Sequence, residues 1–196
     1  YLDSDSWIQE NHYPVIESLL KAKFGHGIDI HIFDHTVLSP LAPFFVEKGL
    51  TETLPNPDQT ILSGENRIKF HMGSRAFDLL RGRCRIINVW MPLFGPVEDC
   101  PLTFCDWNTV NVERDYRSAD LIFPHYIGEQ YLVTHHSDHR WYFLSGQQTN
   151  EFTLLKCWDN KEGVARCVAH TSFMCPTASG NARLRESAEF RCLVFG

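Results

Sequence analysis

Long apolar runs and clusters of one charge sign are both missing from this sequence. No segment reaches the roughly 18 consecutive apolar residues that a membrane-spanning helix needs, and no run of Lys or Arg occurs. The formal charge is −6, from 24 acidic and 18 basic residues. A protein that binds nucleic acid or an anionic membrane uses a basic surface to neutralise phosphates. The sequence therefore argues against both kinds of partner.

The familiar catalytic signatures are missing as well. The sequence has no G-x-x-x-x-G-K-[ST], G-x-G-x-x-G, G-x-S-x-G or H-E-x-x-H motif, which excludes the readily recognised nucleotide-binding, serine-hydrolase and zincin classes. None of the seven cysteines forms a C-x-x-C pair, and four of them, 84, 157, 167 and 192, lie in apolar stretches. This usage is typical of reduced thiols and predicts a cytoplasmic protein. The start has no initiator Met, which predicts that the sequence begins inside a longer gene product.

What is present is enough apolar material for one core. The 196 residues are 43% hydrophobic, with 14 Phe, 6 Tyr and 5 Trp, and this length predicts a single domain over 1–196. Helical spacing over 13–24 is followed by a strand at 28–33. The Pro-rich residues from about 40 to 70 predict a long mobile connection, and a short helix is expected just before Gly82.

Short strand-like segments separated by turn residues fill the rest of the chain. They lie at 84–90, 102–105, 130–134, 140–144, 152–158, 165–173 and 187–195. Seven such segments with no helical pattern between them are typical of an all-β sandwich or barrel. We therefore predict a mainly β fold, a double-stranded β-helix or jelly roll, with helical additions on the N-terminal side.

Histidine is the residue type that suggests chemistry. There are ten, and any single one is more often a surface or core residue than a ligand. His170 stands out because it lies in a predicted strand, with Arg185 and Ser187 opening the next one. An imidazole is a suitable ligand for Fe(II), while a guanidinium and a hydroxyl can hold a carboxylate. This pattern suggests an iron site beside a site for a 2-oxo acid.

Such an iron site also requires a His-x-carboxylate pair. The only literal one is His136-Ser137-Asp138, 34 residues before His170. This spacing barely holds the strands that separate such ligands in a jelly roll, so a polar turn is the favoured interpretation and the pair is a fallback. A metal enzyme that uses no 2-oxo acid stays open as an alternative, with ligands drawn from His135, His136, His139, His170 and Asp159.

Eight blocks of sequence together resemble the CmcJ/AsaB-type hydroxylase/desaturase family. They include 33–37, 79–83, 86–93, 101–106, 139–143, 154–159, 170–173 and 185–187, and the similarity runs in order from about 7 to 195. Members of this family are mostly fungal and bacterial proteins of specialised metabolism. The resemblance implies a non-haem Fe(II)/2-oxoglutarate-dependent dioxygenase, a class that includes endoperoxide-forming enzymes of fungal meroterpenoid biosynthesis. Its cofactors would be Fe(II), 2-oxoglutarate and O₂.

The resemblance also assigns residues. His170 resembles the distal iron ligand, Arg185 with Ser187 resembles the clamp on the 2-oxoglutarate carboxylate, and Asn88 is placed to reach the same cosubstrate. Four further positions, interpreted as shaping the substrate pocket, are His139, Trp141, Lys156 and Asp159. For the aromatic residues Trp90, Trp141 and Phe143, core packing is the favoured interpretation.

The proximal His-x-Asp pair is where the sequence departs from the family. There the pair precedes a helix that runs into the Leu-Leu-Arg-Gly-Arg block, and His71 aligns with the end of that helix, so His71 is not expected to be a ligand. Either the sequence omits a stretch near 66–70, which we favour, or the iron site is lost.

Two functions therefore remain. The first is an oxygenase that oxidises an apolar natural-product intermediate by hydroxylation, desaturation, ring formation or endoperoxidation, with a homodimer as one possible assembly. The second is a catalytically inactive jelly-roll binding or partner protein.

Overall fold

The computed structural model describes residues 4–38, 59–123 and 126–196, and it confirms the predicted jelly-roll class. The strands are β1 Asp29–Leu38, β2 Cys84–Pro92, β3 Leu102–Cys105, β4 Tyr116–Phe123, β5 Tyr126–Val133, β6 Trp141–Phe143, β7 Thr153–Asp159, β8 His170–Ser172 and β9 Ser187–Phe195. The helices are α1 Asp5–Asn11, α2 Tyr13–Phe24, α3 Ile61–Met72, α4 Ala76–Leu79 and α5 Val112–Asp115. No helix in these ranges combines the length and hydropathy needed to cross a membrane.

The larger sheet has the strand order β1-β9-β2-β7, with all neighbours antiparallel. Every residue of β2 is buried, because both faces of this sheet are covered. On its outer face, Val89 and Phe190 pack with Ile16 and Leu20 of α2. The N-terminal helices are therefore the additions predicted from the sequence, and they leave the other face of the sheet to form the interior.

A smaller sheet, in the order β6-β3-β8, closes that interior. Leu102 of β3 packs in one core cluster with Trp90 of β2, and Phe104 packs against the same cluster. Side chains alternate between the two faces of a strand, so this contact identifies the inner face of each sheet. The residues of β8 that pair with Leu102 and Phe104, which are Ser172 and His170, therefore also face inwards.

Helix α3 differs from what the sequence led us to expect. The connection predicted from about 40 to 70 is helical from Ile61 onwards, and α3 runs unbroken through 66–70, where we expected an omitted stretch. Thr60 caps it by accepting a hydrogen bond from the N–H of Ser63 at 3.2 Å. Because a Pro-rich segment precedes Thr60, the sequence predicted a connection here and the N-cap residue was not recognised as the start of a helix. Residues 39–58, the rest of the predicted mobile connection, lie outside the described ranges.

The hairpin of β4 and β5 was only half predicted. The segment expected at 130–134 overlaps β5, whereas β4 was missed because its sequence mixes polar residues among the apolar ones. Paired throughout with β5, β4 gains its hydrogen bonds from that partner strand.

All seven cysteines are free thiols in the structure, and five of them are buried. Burial raises the pKa of Cys84 to about 11 and raises that of Cys192 above its usual range. A thiol held in the protonated form is a poor nucleophile. These two cysteines therefore pack as small apolar side chains, as their sequence context predicted.

Candidate functional site

His170 lies on the inner face of the smaller sheet. It stands directly opposite Phe104 in the register of β8 and β3, and only 3% of its surface is exposed. Its Nδ1 is 3.1 Å from the carbonyl oxygen of Val168. In the tautomer that donates from Nδ1, the lone pair is on Nε2, which is the form in which imidazole binds metal ions. The predicted iron ligand thus has a fixed ring orientation.

Ser187 and Asn88 lie on the facing wall, in the larger sheet. Ser187 is completely buried at the start of β9, opposite Pro92. Its Oγ makes no hydrogen bond within the described residues. Asn88 is also buried, opposite Arg191 on the same face. A buried hydroxyl without a partner costs about 1–3 kcal/mol, so Ser187 is suited to a polar ligand.

Arg185 precedes β9 and is held over Trp90. Its main-chain N–H donates to Oδ2 of Asp99 at 2.9 Å, and its Nη1 donates to the carbonyl oxygen of Cys100 at 3.2 Å. The guanidinium carbon lies 5.8 Å from the centre of the Trp90 ring. Because Trp90 is on the inner face of β2, the guanidinium lies at the same wall as Ser187.

The spacing along β3 relates this guanidinium to His170. Arg185 contacts Cys100, and His170 stands opposite Phe104, four residues further on. Four extended residues cover at most roughly 13 Å, at about 3.3 Å per residue. Arg185 comes from the residues before β9 and His170 from β8, so the two lie at neighbouring points along this segment.

These residues fit 2-oxoglutarate better than they complete an iron site. The orphaned Oγ of Ser187 and the guanidinium of Arg185 match a carboxylate. For the metal, His170 is a suitable donor, but within 4–38, 59–123 and 126–196 no three His, Cys, Asp or Glu side chains come close enough to hold an ion. Within the described ranges, His170 is therefore a single donor and not a complete iron site.

The structure shows where the sequence reasoning missed a signal. Since α3 begins at Ile61, helical segments run up to the Leu-Leu-Arg-Gly-Arg block without an omitted stretch. The sequence before α3 reads Asn56-Pro57-Asp58, outside the described ranges, and it contains no His-x-Asp pair. The N-cap residue Thr60 is the signal that would have found the start of this helix.

His139 and Trp141 line a cavity on the other side of the smaller sheet. On β6, Trp141 pairs with Cys105 and Phe143 pairs with Thr103. Cys105 and Thr103 alternate along β3 with the inward-facing Leu102 and Phe104, so all four side chains are on the outer face of the smaller sheet. The cavity measures about 480 Å³ and its lining residues are Thr103, Val133, Thr134, His135, His139, Trp141, Phe143, Thr171 and Phe173. The structure brings His139 and Trp141 together with each other, but not with His170.

His139 is tied to Asp115 inside the protein. Its Nε2 lies 2.8 Å from Oδ2 of Asp115, and the two side chains are 2% and 1% exposed. Hydrogen bonds from Arg114, and then from His139, hold the pKa of Asp115 well below its usual range, although burial raises it. This pair fixes the loop before β6 and explains why His139 has a recurrent place in the sequence pattern.

Lys156 and Asp159 belong to an ion cluster instead of a pocket. Asp159 is fully buried, 2.7 Å from Nη2 of Arg83 and 3.0 Å from Nζ of Lys156. Burial raises the pKa of Asp159, but hydrogen bonds from Arg83, the main-chain N–H of Lys161 and Lys156 outweigh it and lower the pKa. Lys156 also donates to the carbonyl oxygen of Ala165 at 3.0 Å. These contacts join β7 to neighbouring segments.

The fallback pair His136 and Asp138 lies in a turn between β5 and β6. Nδ1 of His136 accepts from the N–H of Asp138 at 3.2 Å, and the Asp138 side chain is 69% exposed. His170 is on the opposite face of the smaller sheet, so the described residues do not assemble this pair with it. The alternative metal centre built on His139 and His170 fails for the same reason. The turn interpretation fits the observed contacts.

Comparison with known proteins matches residues 1–195 to a family model described as "Oxidoreductase/YMDC permease-like domain", and the curated relatives include several proteins named hydroxylase/desaturase. The chain belongs to the hydroxylase/desaturase family. Aspirochlorine biosynthesis protein N of Aspergillus oryzae is 42% identical over 143 residues, which cover 70% of this chain and 58% of that protein. An alpha-ketoglutarate-dependent dioxygenase of Talaromyces stipitatus is 32% identical over 95% of this chain and 70% of its own length.

A solved structure of this family has the same fold. The iron and alpha-ketoglutarate-dependent endoperoxidase NvfI superposes with a TM-score of 0.88 at 26% identity, and the match covers all of this chain and 70% of that one. A curated Fe(II)/2-oxoglutarate-dependent dioxygenase of the same designation comes from Aspergillus novofumigatus. The chain spans 58% of the length of the aspirochlorine biosynthesis protein that it matches.

Proposed function

We propose that this protein is an Fe(II)/2-oxoglutarate-dependent oxygenase of fungal specialised metabolism. The observation that carries the proposal is the buried imidazole of His170 on one sheet, facing the buried Ser187 and the adjacent Arg185 on the other. Relatives named as dioxygenases that use 2-oxoglutarate support the same function.

Each residue has one task in this proposal. His170 holds Fe(II) through Nε2. Arg185 and Ser187 bind the far carboxylate of 2-oxoglutarate, while Asn88 hydrogen-bonds the same molecule. Iron with 2-oxoglutarate and O₂ supplies the oxidation of an unactivated C–H bond. Because His170, Ser187 and Asn88 are buried, this part of the interior keeps water away from that reaction.

The substrate that we propose is an apolar small molecule, an intermediate of a fungal natural product such as a meroterpenoid. Hydroxylation, desaturation, ring formation and endoperoxidation are the outcomes open to it. The names of relatives support this range, since they include hydroxylase/desaturase and endoperoxidase.

The test is anaerobic addition of Fe(II) and 2-oxoglutarate to the full chain. We expect a weak visible charge-transfer band and, after O₂ and substrate are added, succinate. His170→Ala should abolish both the band and succinate formation. Arg185→Ala should weaken 2-oxoglutarate binding by roughly 10- to 100-fold, because a charge-assisted hydrogen bond is worth about 1.5–3 kcal/mol. Arg117→Ala is the matched control, since Arg117 is exposed on β4.

Unchanged succinate formation by the His170 variant would refute the ligand assignment. Unchanged 2-oxoglutarate affinity of the Arg185 variant would refute the clamp.

The second function, a jelly-roll binding protein without catalysis, has one observation in its favour. The sequence before α3 contains no His-x-Asp pair, since Asn56 and not a histidine stands two residues before Asp58, and an amide is a weaker iron ligand than an imidazole. If the full chain shows no band with Fe(II) and 2-oxoglutarate while an apolar ligand still raises its melting temperature, this function replaces the first.

A further inference from the structure

We infer that the indole N–H of Trp90 donates a hydrogen bond to the carboxylate held by Arg185 and Ser187, so that this anion site has three donors. The inference rests on the proposed function and adds a residue that the sequence pattern had assigned to core packing. Trp90 would then set the position and affinity of 2-oxoglutarate as well as filling the core.

The first argument is that the Trp90 N–H is buried and unsatisfied. Trp90 is 1% exposed, and its Nε1 has no hydrogen-bond partner within the described residues. Trp158 belongs to the same core cluster, yet its Nε1 donates to the carbonyl oxygen of Ile61 at 3.0 Å. Buried indole N–H groups normally find a partner. The N–H of Trp158 therefore has a partner within the described residues, whereas the N–H of Trp90 does not.

The second argument is the position of Trp90 beside the other two donors. In the register of β2 and β9, Pro92 stands opposite Ser187, so Trp90 is the next inward-facing residue of β2 along the same face. The Arg185 guanidinium lies over its ring, 5.8 Å from the centre. Two orphaned buried groups, the indole Nε1 and the Ser187 Oγ, therefore adjoin one cation. An anion with several acceptor oxygens would satisfy all three.

The third argument concerns the acidic groups nearby, because an anion site needs them neutralised. Glu189 stands directly opposite Trp90, but its carboxylate is 2.9 Å from Nη2 of Arg191. Asp99 accepts from the main-chain N–H of Arg185 through Oδ2, and its Oδ1 has no hydrogen-bond partner within the described residues. The guanidinium of Arg185 donates to the carbonyl oxygen of Cys100. Glu189 is thus paired with another arginine, and Arg185 keeps further N–H groups for a ligand, since a guanidinium has five.

The experiment uses the full chain with Zn(II) in place of Fe(II), labelled with ¹⁵N for indole N–H resonances. Adding 2-oxoglutarate should move the Trp90 resonance downfield and leave that of Trp158 in place. Pyruvate, which has the 2-oxo acid group without the far carboxylate, should leave both unchanged. Trp90→Phe identifies the resonance and should raise the dissociation constant for 2-oxoglutarate about 10-fold. Trp158→Phe, the matched control, should keep the wild-type constant.

The outcomes separate the inference from the proposed function. If 2-oxoglutarate binds but the Trp90 resonance stays still, or moves equally with pyruvate, the three-donor site is refuted while the oxygenase proposal stands. If 2-oxoglutarate does not bind the full chain at all, the proposed function itself fails. Should Trp90→Phe not fold, the resonance of the wild-type protein decides the question.

Discussion

At the scale of single residues, the buried pair of His139 and Asp115 shows how a sequence pattern can have a structural cause. A carboxylate removed from water is tolerated only where charges and hydrogen bonds replace its hydration. Asp115 receives them from His139, from Arg114 and from the main-chain N–H of Asn111. His139 is therefore required where β6 begins, whether or not a substrate lies near it.

This pair predicts a loss of stability in acid. Hydrogen bonds from Arg114 and His139 hold the pKa of Asp115 below its value in the unfolded chain, about 3.9. Its contribution to the free energy of unfolding is therefore complete above that pH and is lost as the pH falls further. Urea unfolding from pH 6 to pH 3 measures this loss.

Asp115→Asn should cost about 3 kcal/mol at pH 6, in the range for breaking a buried pair. The difference from wild type should shrink towards pH 3. Asp120→Asn, at an exposed position of β4, is the control and should change little. A difference that stays constant with pH would contradict the assignment.

At the scale of elements, the contact between α3 and β7 positions the start of the helix beside the interior. Gly64 lies against the Trp158 ring so closely that a Cβ there would come within 2.3 Å of it. The ring cannot easily move, because its Nε1 is bonded to the carbonyl oxygen of Ile61 in the same helix. This contact fixes the first turns of α3 against β7.

The contact reverses the usual effect of replacing glycine in a helix. Gly→Ala in a helix interior normally stabilises by about 1 kcal/mol. We expect Gly64→Ala to destabilise by about 1–3 kcal/mol, since overpacking forces the ring or the helix to shift. Chemical denaturation measures the change.

Gly27→Ala serves as the comparison, because nothing lies within 4 Å of its Cβ position. A stabilised Gly64 variant would show that α3 and β7 do not pack in this way.

At the scale of the whole molecule, the proposed site draws its residues from both sheets. His170 comes from the smaller sheet, and Ser187 and Trp90 come from the larger one. A metal ion with 2-oxoglutarate bound to it would therefore connect both walls. The assignment of 1–196 to a single domain stays a prediction, as does the homodimer.

Ligand binding should accordingly raise the melting temperature of the full chain. At a 2-oxoglutarate concentration 100 times its dissociation constant, with metal present, the linkage contributes about 2.7 kcal/mol. For a protein of this size this corresponds to a rise of roughly 5–10 °C. Scanning calorimetry with and without the ligand measures it. Arg185→Ala should show little rise at the same concentration, and an equal rise would argue that the ligand binds elsewhere.

Local pattern was sufficient for several parts of this protein. The strand at Ser187–Phe195, the strand at Leu102–Cys105 and the helix at Tyr13–Phe24 follow from short-range periodicity, and the structure has them at or near the predicted bounds. His170, Arg185 and Ser187 could be selected because their residue types and order suit a metal ion and a carboxylate. Their role in catalysis remains to be tested.

The two faces of each sheet could be told apart only in three dimensions. The sequence grouped His139 and Trp141 with His170 as residues of one site. The pleat of β3 and its register with β6 and β8 place His139 and Trp141 on one face of the smaller sheet and His170 on the other. The unsatisfied N–H of Trp90 is likewise invisible in sequence, where tryptophan in an apolar strand predicts packing.

Sequence by itself determined the class of fold, through periodicity and turn residues, and the family, through the resemblance of eight sequence blocks. It also supplied a list of candidate polar residues, because residue type and order along the chain suit a metal ion and a carboxylate. Only the tertiary structure decided which of those residues share a cavity and which hydrogen-bonding groups are left without partners. Those properties depend on strand register and on the packing of one sheet against the other, which connect residues far apart in the chain.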